Sequence, residues 1–146
     1  MIKDKPLSKK QFQEIYSTVP RLCVDVLIHQ KNGVLLTFRK IKPSGIWHIP
    51  GGTVLMNESL TESVKRVANN ELGVEVEVVK LLGVIDFFPY SGLGHPITLV
   101  HLVKVIRGQI TLDDQASEYR YFQEPPVNMI QEHRQFLINY LKGKKQ

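Results

Sequence analysis

The chain has 146 residues, 42% of them hydrophobic and 23% charged, with a formal net charge of +5. Those proportions are ordinary for a globular protein, and the length suits one domain with a real core. No apolar run approaches the ~18 residues of a membrane span. The single cysteine, Cys23, cannot make an internal disulfide, so a cytoplasmic location is expected.

The start, MIKDKPLSKKQF, lacks the apolar core of a signal peptide. LSKKQFQEIYSTV then has a helical rhythm, opening at Ser8 and stopping before Pro20. RLCVDVLIH alternates, which predicts a strand with Leu22, Val24, Val26 and Ile28 on one face. QKNG is a turn and VLLTFRK returns as a second strand. A three-residue loop, Lys31-Asn32-Gly33, would set Asp25 opposite Arg39; a two-residue Asn-Gly turn would set it opposite Lys40. Either register gives an inward acid a basic neighbour.

After IKPSGIWHIPGG a helix is expected from Ser59 to Leu72. Ser59 and Glu62 make a capping box, and Gly73 is a good stop. VEVEVV and LLGVIDFF alternate, PYSGLGHP turns, and ITLVHLVKVI returns. RGQITL and EYRYF read as short strands, and PPVNMIQEHRQFLINYLK as a proline-started amphipathic helix. No repeat, low-complexity tract or linker appears. The expectation is an α+β domain over residues 1–146, with residues 1–18 a helical extension and a sheet clasped by helices.

Cations gather in KDKPLSKK, RKIK and KGKKQ, which attracts phosphate-bearing ligands or simply stays solvated. No basic stripe with interleaved aromatics appears, so no nucleic-acid partner is expected.

The chemistry concentrates between Trp47 and Val74. At about 100° per residue, Leu60, Val64, Val67 and Glu71 share one helix face, so Glu71 sits in the core-facing stripe. A bare carboxylate there is costly unless it is ion-paired or bound to a cation such as magnesium. Upstream, Gly51 and Gly52 follow Pro50 in a turn where backbone must approach something closely. His29, His48, His95, His101 and His133 show no partner spacing and read as surface or core histidines.

Gly52, Glu58, Arg66, Ala68, Glu71, Gly73 and Val74, spaced as they are, resemble the Nudix box, and Trp47, Pro50, Gly51 and Gly52 resemble its approach. The resemblance implies a Nudix α/β/α sandwich with a mixed central sheet, and a hydrolase of nucleoside diphosphates linked to another group. Two box glutamates are replaced, by Val67 and Asn70. GDP-mannose mannosyl hydrolases, a Nudix branch, also lack those acids, and STVPRLCVDVLI and GVLLTFR are similar to that branch. This likeness implies one Mg2+ (or Mn2+) held by Glu71, the Gly51 carbonyl and Gln115. It also implies Asp25 and Arg39 at the substrate phosphates, Glu71 and Arg39 as catalytic, a nucleotide-sugar substrate, and a homodimer formed through the N-terminal helix. Where the branch has a histidine base this chain has Ala116, and where it has an arginine this chain has Thr53. The rival readings are diphosphate cleavage, as in the wider family, and a nucleotide-binding protein that has lost turnover.

Overall fold

The computed structural model describes residues 5–88 and 94–144. Helix α1 spans Lys9–Tyr16, capped by Ser8 in a reciprocal box with Gln11. Strands β1 (Arg21–Gln30) and β2 (Gly33–Arg39) form a hairpin, followed by β3 (Trp47–His48) and β4 (Gly51–Thr53). Helix α2 spans Leu60–Leu72. Strands β5 (Glu75–Asp86), β6 (Pro96–Arg107) and β7 (Ala116–Phe122) lead to helix α3, Gln131–Lys144. The expected turn PYSGLGHP lies largely outside the described residues.

The sheet runs β3-β2-β1-β6-β5, with β4 pairing β1 and β7 pairing β2. Only β1 and β6 run parallel among the named pairs; the rest are antiparallel, so the sheet is mixed. The hairpin corrects both expected registers. Gln30 pairs with Gly33 and His29 with Val34, so the loop is Lys31-Asn32. After those two pairs β1 and β2 splay, and the 47–53 segment fills the gap. It pairs with β2 through Trp47 and His48, then with β1 through Gly51, Gly52 and Thr53. Asp25 therefore faces Gly51 across the ladder, not Arg39 or Lys40.

Alternation along β1 and β2 divides the core between the sheet's two faces. Val24, Val26, Ile28 and Leu35 pack with Val64, Val67, Ala68 and Leu72 of α2. Leu27, Val34 and Leu36 pack with Trp47, Ile49, Met129 and Leu137 of α3. Val67, Ala68 and Leu72 are 0–1% exposed, and full burial of an aliphatic side chain stabilises by roughly 1.5–3 kcal/mol. The helix start and stop match expectation. Ser59 and Glu62 cap α2 reciprocally, and Gly73 ends it at φ 67°, a left-handed turn that favours glycine.

Two expected elements differ. RGQITL is not a strand: β6 ends at Arg107, and Thr111 N–H instead donates to the Leu72 carbonyl, capping the end of α2. The last helix starts at Gln131, not at the prolines, because Trp47 holds the preceding segment extended. Trp47 N–H donates to the Asn128 carbonyl and Ile130 N–H to the Trp47 carbonyl. Among the described residues no helix is long and apolar enough to cross a membrane.

Candidate active site

The segment between β4 and α2 is anchored by one buried carboxylate. Arg66 Nε donates to Glu58 Oε2 at 2.6 Å, and Nη2 donates to Oε1 at 3.0 Å and to the Thr53 carbonyl at 2.7 Å. Ser63 Oγ and the Leu55 N–H also donate to Glu58 Oε1. Burial would raise this carboxyl's pKa. The hydrogen bonds from Arg66, Ser63 and Leu55, with the Arg66 charge, outweigh it and hold Glu58 below its usual value. Arg66 braces the loop onto the helix.

The glycine pair faces two ways. A Cβ on Gly52 would lie 3.0 Å from Val67 Cγ2 and 3.7 Å from Glu71 Oε2. A Cβ on Gly51 would collide with Asp25 Oδ1 and the Val24 carbonyl. Glycine is therefore demanded at Gly51 by the carboxylate of β1 and favoured at Gly52 by α2. Glu71, half-buried at the end of the apolar stripe, faces the open side of Gly52. Val67, standing where the family carries an acid, makes an apolar contact with that same backbone.

Asp25 and Arg39 lie on the α3 side. Asp25 is 5% exposed, and its Oδ2 lies 2.8 Å from Nε2 of His133, itself 4% exposed. Nδ1 of His133 accepts from the Ile49 N–H at 3.1 Å. Since Nδ1 must offer a lone pair, this network assigns the proton to Nε2, and a neutral imidazole donates to the carboxylate. The His133 ring stacks on that of His48, with centroids 6.1 Å apart. His48 Nδ1 is 3.3 Å from Arg39 Nη1, and the remainder of that guanidinium holds the loop after β2. Its Nε donates to the Pro43 carbonyl and its Nη2 to the Lys42 carbonyl, both at 2.8 Å.

Gln115 joins Arg39 through the backbone. Lys40 N–H donates to the Gln115 carbonyl at 2.8 Å, and Arg39 pairs with Ala116 at a bulge. Gln115 N–H donates to Asp113 Oδ1, which fixes the turn into β7. The sequence-predicted residues thus fall into two groups, Glu71 with the glycine pair, and Arg39 with Gln115 and Ala116. Asp25 sits behind Gly51. Among the described residues no three His, Cys, Asp or Glu side chains converge as a metal cluster. Neither of two surface clefts, about 330 and 450 Å³, is lined by any of these residues.

His133 is the participant that sequence reasoning misses. Its partner lies 108 residues away, so no local spacing could reveal it. The available signal was Asp25 itself, an inward acid in a strand that had to find a donor.

A family description, NUDIX domain, matches residues 19–140. This chain belongs to the Nudix hydrolase family. It is 35% identical over 132 residues to the low-salt glycan biosynthesis protein Agl8 of Haloferax volcanii, covering 84% of this chain and 85% of that protein. Identity to the ADP-ribose pyrophosphatase of Methanocaldococcus jannaschii is 32% over 127 residues, covering 86% and 75%. The crystal structure of a MutT Nudix hydrolase from Burkholderia pseudomallei superposes with a TM-score of 0.75 at 26% identity. It covers 82% of this chain and 97% of that one. The expected Nudix sandwich is the fold observed.

Proposed function

We propose that this Nudix hydrolase acts on a nucleotide sugar, GDP-mannose-like in outline, with one divalent cation held by Glu71 and the Gly51 carbonyl, the side chain of Gln115 reaching it from the Arg39 group. The observation that carries the reading is the approach of Glu71 Oε2 to Gly52, the neighbour of Gly51, with Val67 beside it in place of a second acid. A donor set of one carboxylate, one carbonyl and one amide is all oxygen, and suits Mg2+ or Mn2+ completed by water. A bound cation would offset the charge that grows on the departing diphosphate.

The chain's own residues divide the remaining work. Arg39, at the open end of β2 beside Gln115, supplies fixed positive charge for a phosphate. Asp25 acts from behind Gly51, because its carboxylate is buried against His133. The Haloferax relative is named for glycan biosynthesis, which favours a sugar-bearing substrate. The Methanocaldococcus relative is named a pyrophosphatase, which favours the rival, cleavage within the diphosphate.

A panel of nucleotide sugars with Mg2+ in labelled water separates the two. Attack at the sugar carbon releases free sugar carrying the label and leaves both phosphates on the nucleotide. Label in nucleotide monophosphate or sugar phosphate supports the pyrophosphatase instead. No turnover on any member overturns both.

A further inference from the structure

We infer that His133, on α3, is a positioning residue that sets the Gly51 backbone from the opposite side of the sheet. The inference rests on the proposed cation site, but its argument comes from a closed ring of contacts. His133 Nδ1 accepts from the Ile49 N–H, and Nε2–H donates to Asp25 Oδ2. Asp25 Oδ1 occupies the space above Gly51 that any other residue's Cβ would fill. Val26 N–H holds the intervening Pro50 carbonyl at 2.8 Å. One imidazole therefore fixes residue 49 directly and residue 51 through a carboxylate, and the peptide between them is tied to β1.

The ring is buried, which makes each bond costly to lose. A buried N–H or carboxylate without a partner is destabilised by its full desolvation penalty, so the arrangement has little freedom to drift. Phe87 packs edge-on to the His133 ring at 5.5 Å and His48 stacks on it, so the imidazole itself cannot swing away. From the other side Val67 and Glu71 approach Gly52. The glycine pair is thus gripped by α3 through β1 and met by α2, and His133 decides where the carbonyl of Gly51 stands relative to Glu71.

The test compares the parent chain with His133→Phe, which keeps an aromatic ring against His48 and removes both nitrogens. Mn2+ binding is read by electron paramagnetic resonance without substrate, at a temperature where both chains are folded by circular dichroism. Outer contacts that orient a ligand typically matter ~10–100-fold, so binding about tenfold weaker is expected. The kcat for a nucleotide sugar should fall with it while KM changes little, a split that general destabilisation would not give. Asp25→Asn retains an oxygen acceptor for Nε2–H and should keep most of the affinity. If His133→Phe does not fold, His133→Asn keeps an acceptor for Ile49, drops only the Asp25 bond, and should weaken Mn2+ in the same direction. Parent-like Mn2+ affinity in either folded His133 variant overturns the inference. So does a parent chain that binds no Mn2+, whereas Mn2+ binding without nucleotide-sugar turnover overturns only the substrate reading.

Discussion

Arg39 Nη1 stands 3.3 Å from His48 Nδ1, and the guanidinium has no lone pair to offer, so the imidazole accepts and is neutral. Burial above all, then the neighbouring charge of Arg39, pushes His48 well below its ordinary 6.5. In the unfolded chain the ring takes its proton near pH ~6.5, so below that pH the unfolded state binds more protons. Stability is therefore fully present above pH ~6.5 and declines as pH falls toward the folded value, by at most ~1.4 kcal/mol per unit. Urea midpoints at pH 7.5 and 5.5 check this, since His48→Asn should lose less between the two. Some dependence will survive, because burial and Lys144 also lower His29.

The glycine pair predicts an asymmetry. Gly51→Ala sets a methyl against Asp25 Oδ1 and a main-chain carbonyl, neither of which can yield easily, whereas Gly52→Ala meets the rotatable Val67 at 3.0 Å. Overpacking of the first kind costs about 1–3 kcal/mol. Denaturant midpoints should fall clearly for Gly51→Ala and less for Gly52→Ala. Equal losses would mean that the Asp25 contact is not what demands glycine.

These contacts also mark where the sequence stopped being informative. The span from Ser59 to Gly73 was legible because caps, stripe and left-handed stop are all local, and the Nudix box carried the family. The hairpin register was not, because it depends on β1 leaving β2 to pair with Gly51, a tertiary event that turn chemistry cannot foresee. RGQITL has strand-like residues, but its Thr111 N–H is taken by the Leu72 carbonyl at the end of α2, a long-range contact that local pattern does not reveal. Alternation turns Asp25 inward, but neither basic neighbour expected for it, Arg39 or Lys40, is its partner. The donor came from His133, and only the packing of α3 decides that.

Glu71→Gln preserves shape and removes one charge. With no second box acid at Val67 or Asn70 to compensate, divalent-metal-dependent turnover should drop to background, and Mn2+ binding with it. The thermal midpoint should stay near that of the parent. Near-parental activity would make Glu71 a structural acid and remove the cation site as proposed.

Helix α1 buries none of its residues, and Phe12 and Ile15 are 36% and 41% exposed. Arg21 covers one face of the Phe12 ring at 5.4 Å, which leaves the apolar stripe partly open. We propose that a second copy covers it, giving a homodimer. Light scattering on the full chain and on a chain lacking residues 1–18 decides. A dimer that becomes monomeric on truncation supports the proposal, while a monomeric parent or an unchanged dimer ends it.

Ala116 is the last position at which chemistry can be built back. It is 8% exposed, opens β7 directly after Gln115, and pairs with Arg39. If the site lacks only a proton acceptor, Ala116→His should raise kcat for sugar release, because a placed general base typically contributes ~10²–10⁴-fold. The gain should fade at low pH, where a protonated imidazole cannot accept. The bulge between Phe38 and Arg39 gives the strand local freedom to admit the larger ring. Stopped-flow assay of free sugar between pH 5.5 and 8.5 reads both effects. A fall in rate with unchanged substrate binding would show that the small side chain of Ala116 leaves room for part of the substrate, and that the base must be sought elsewhere.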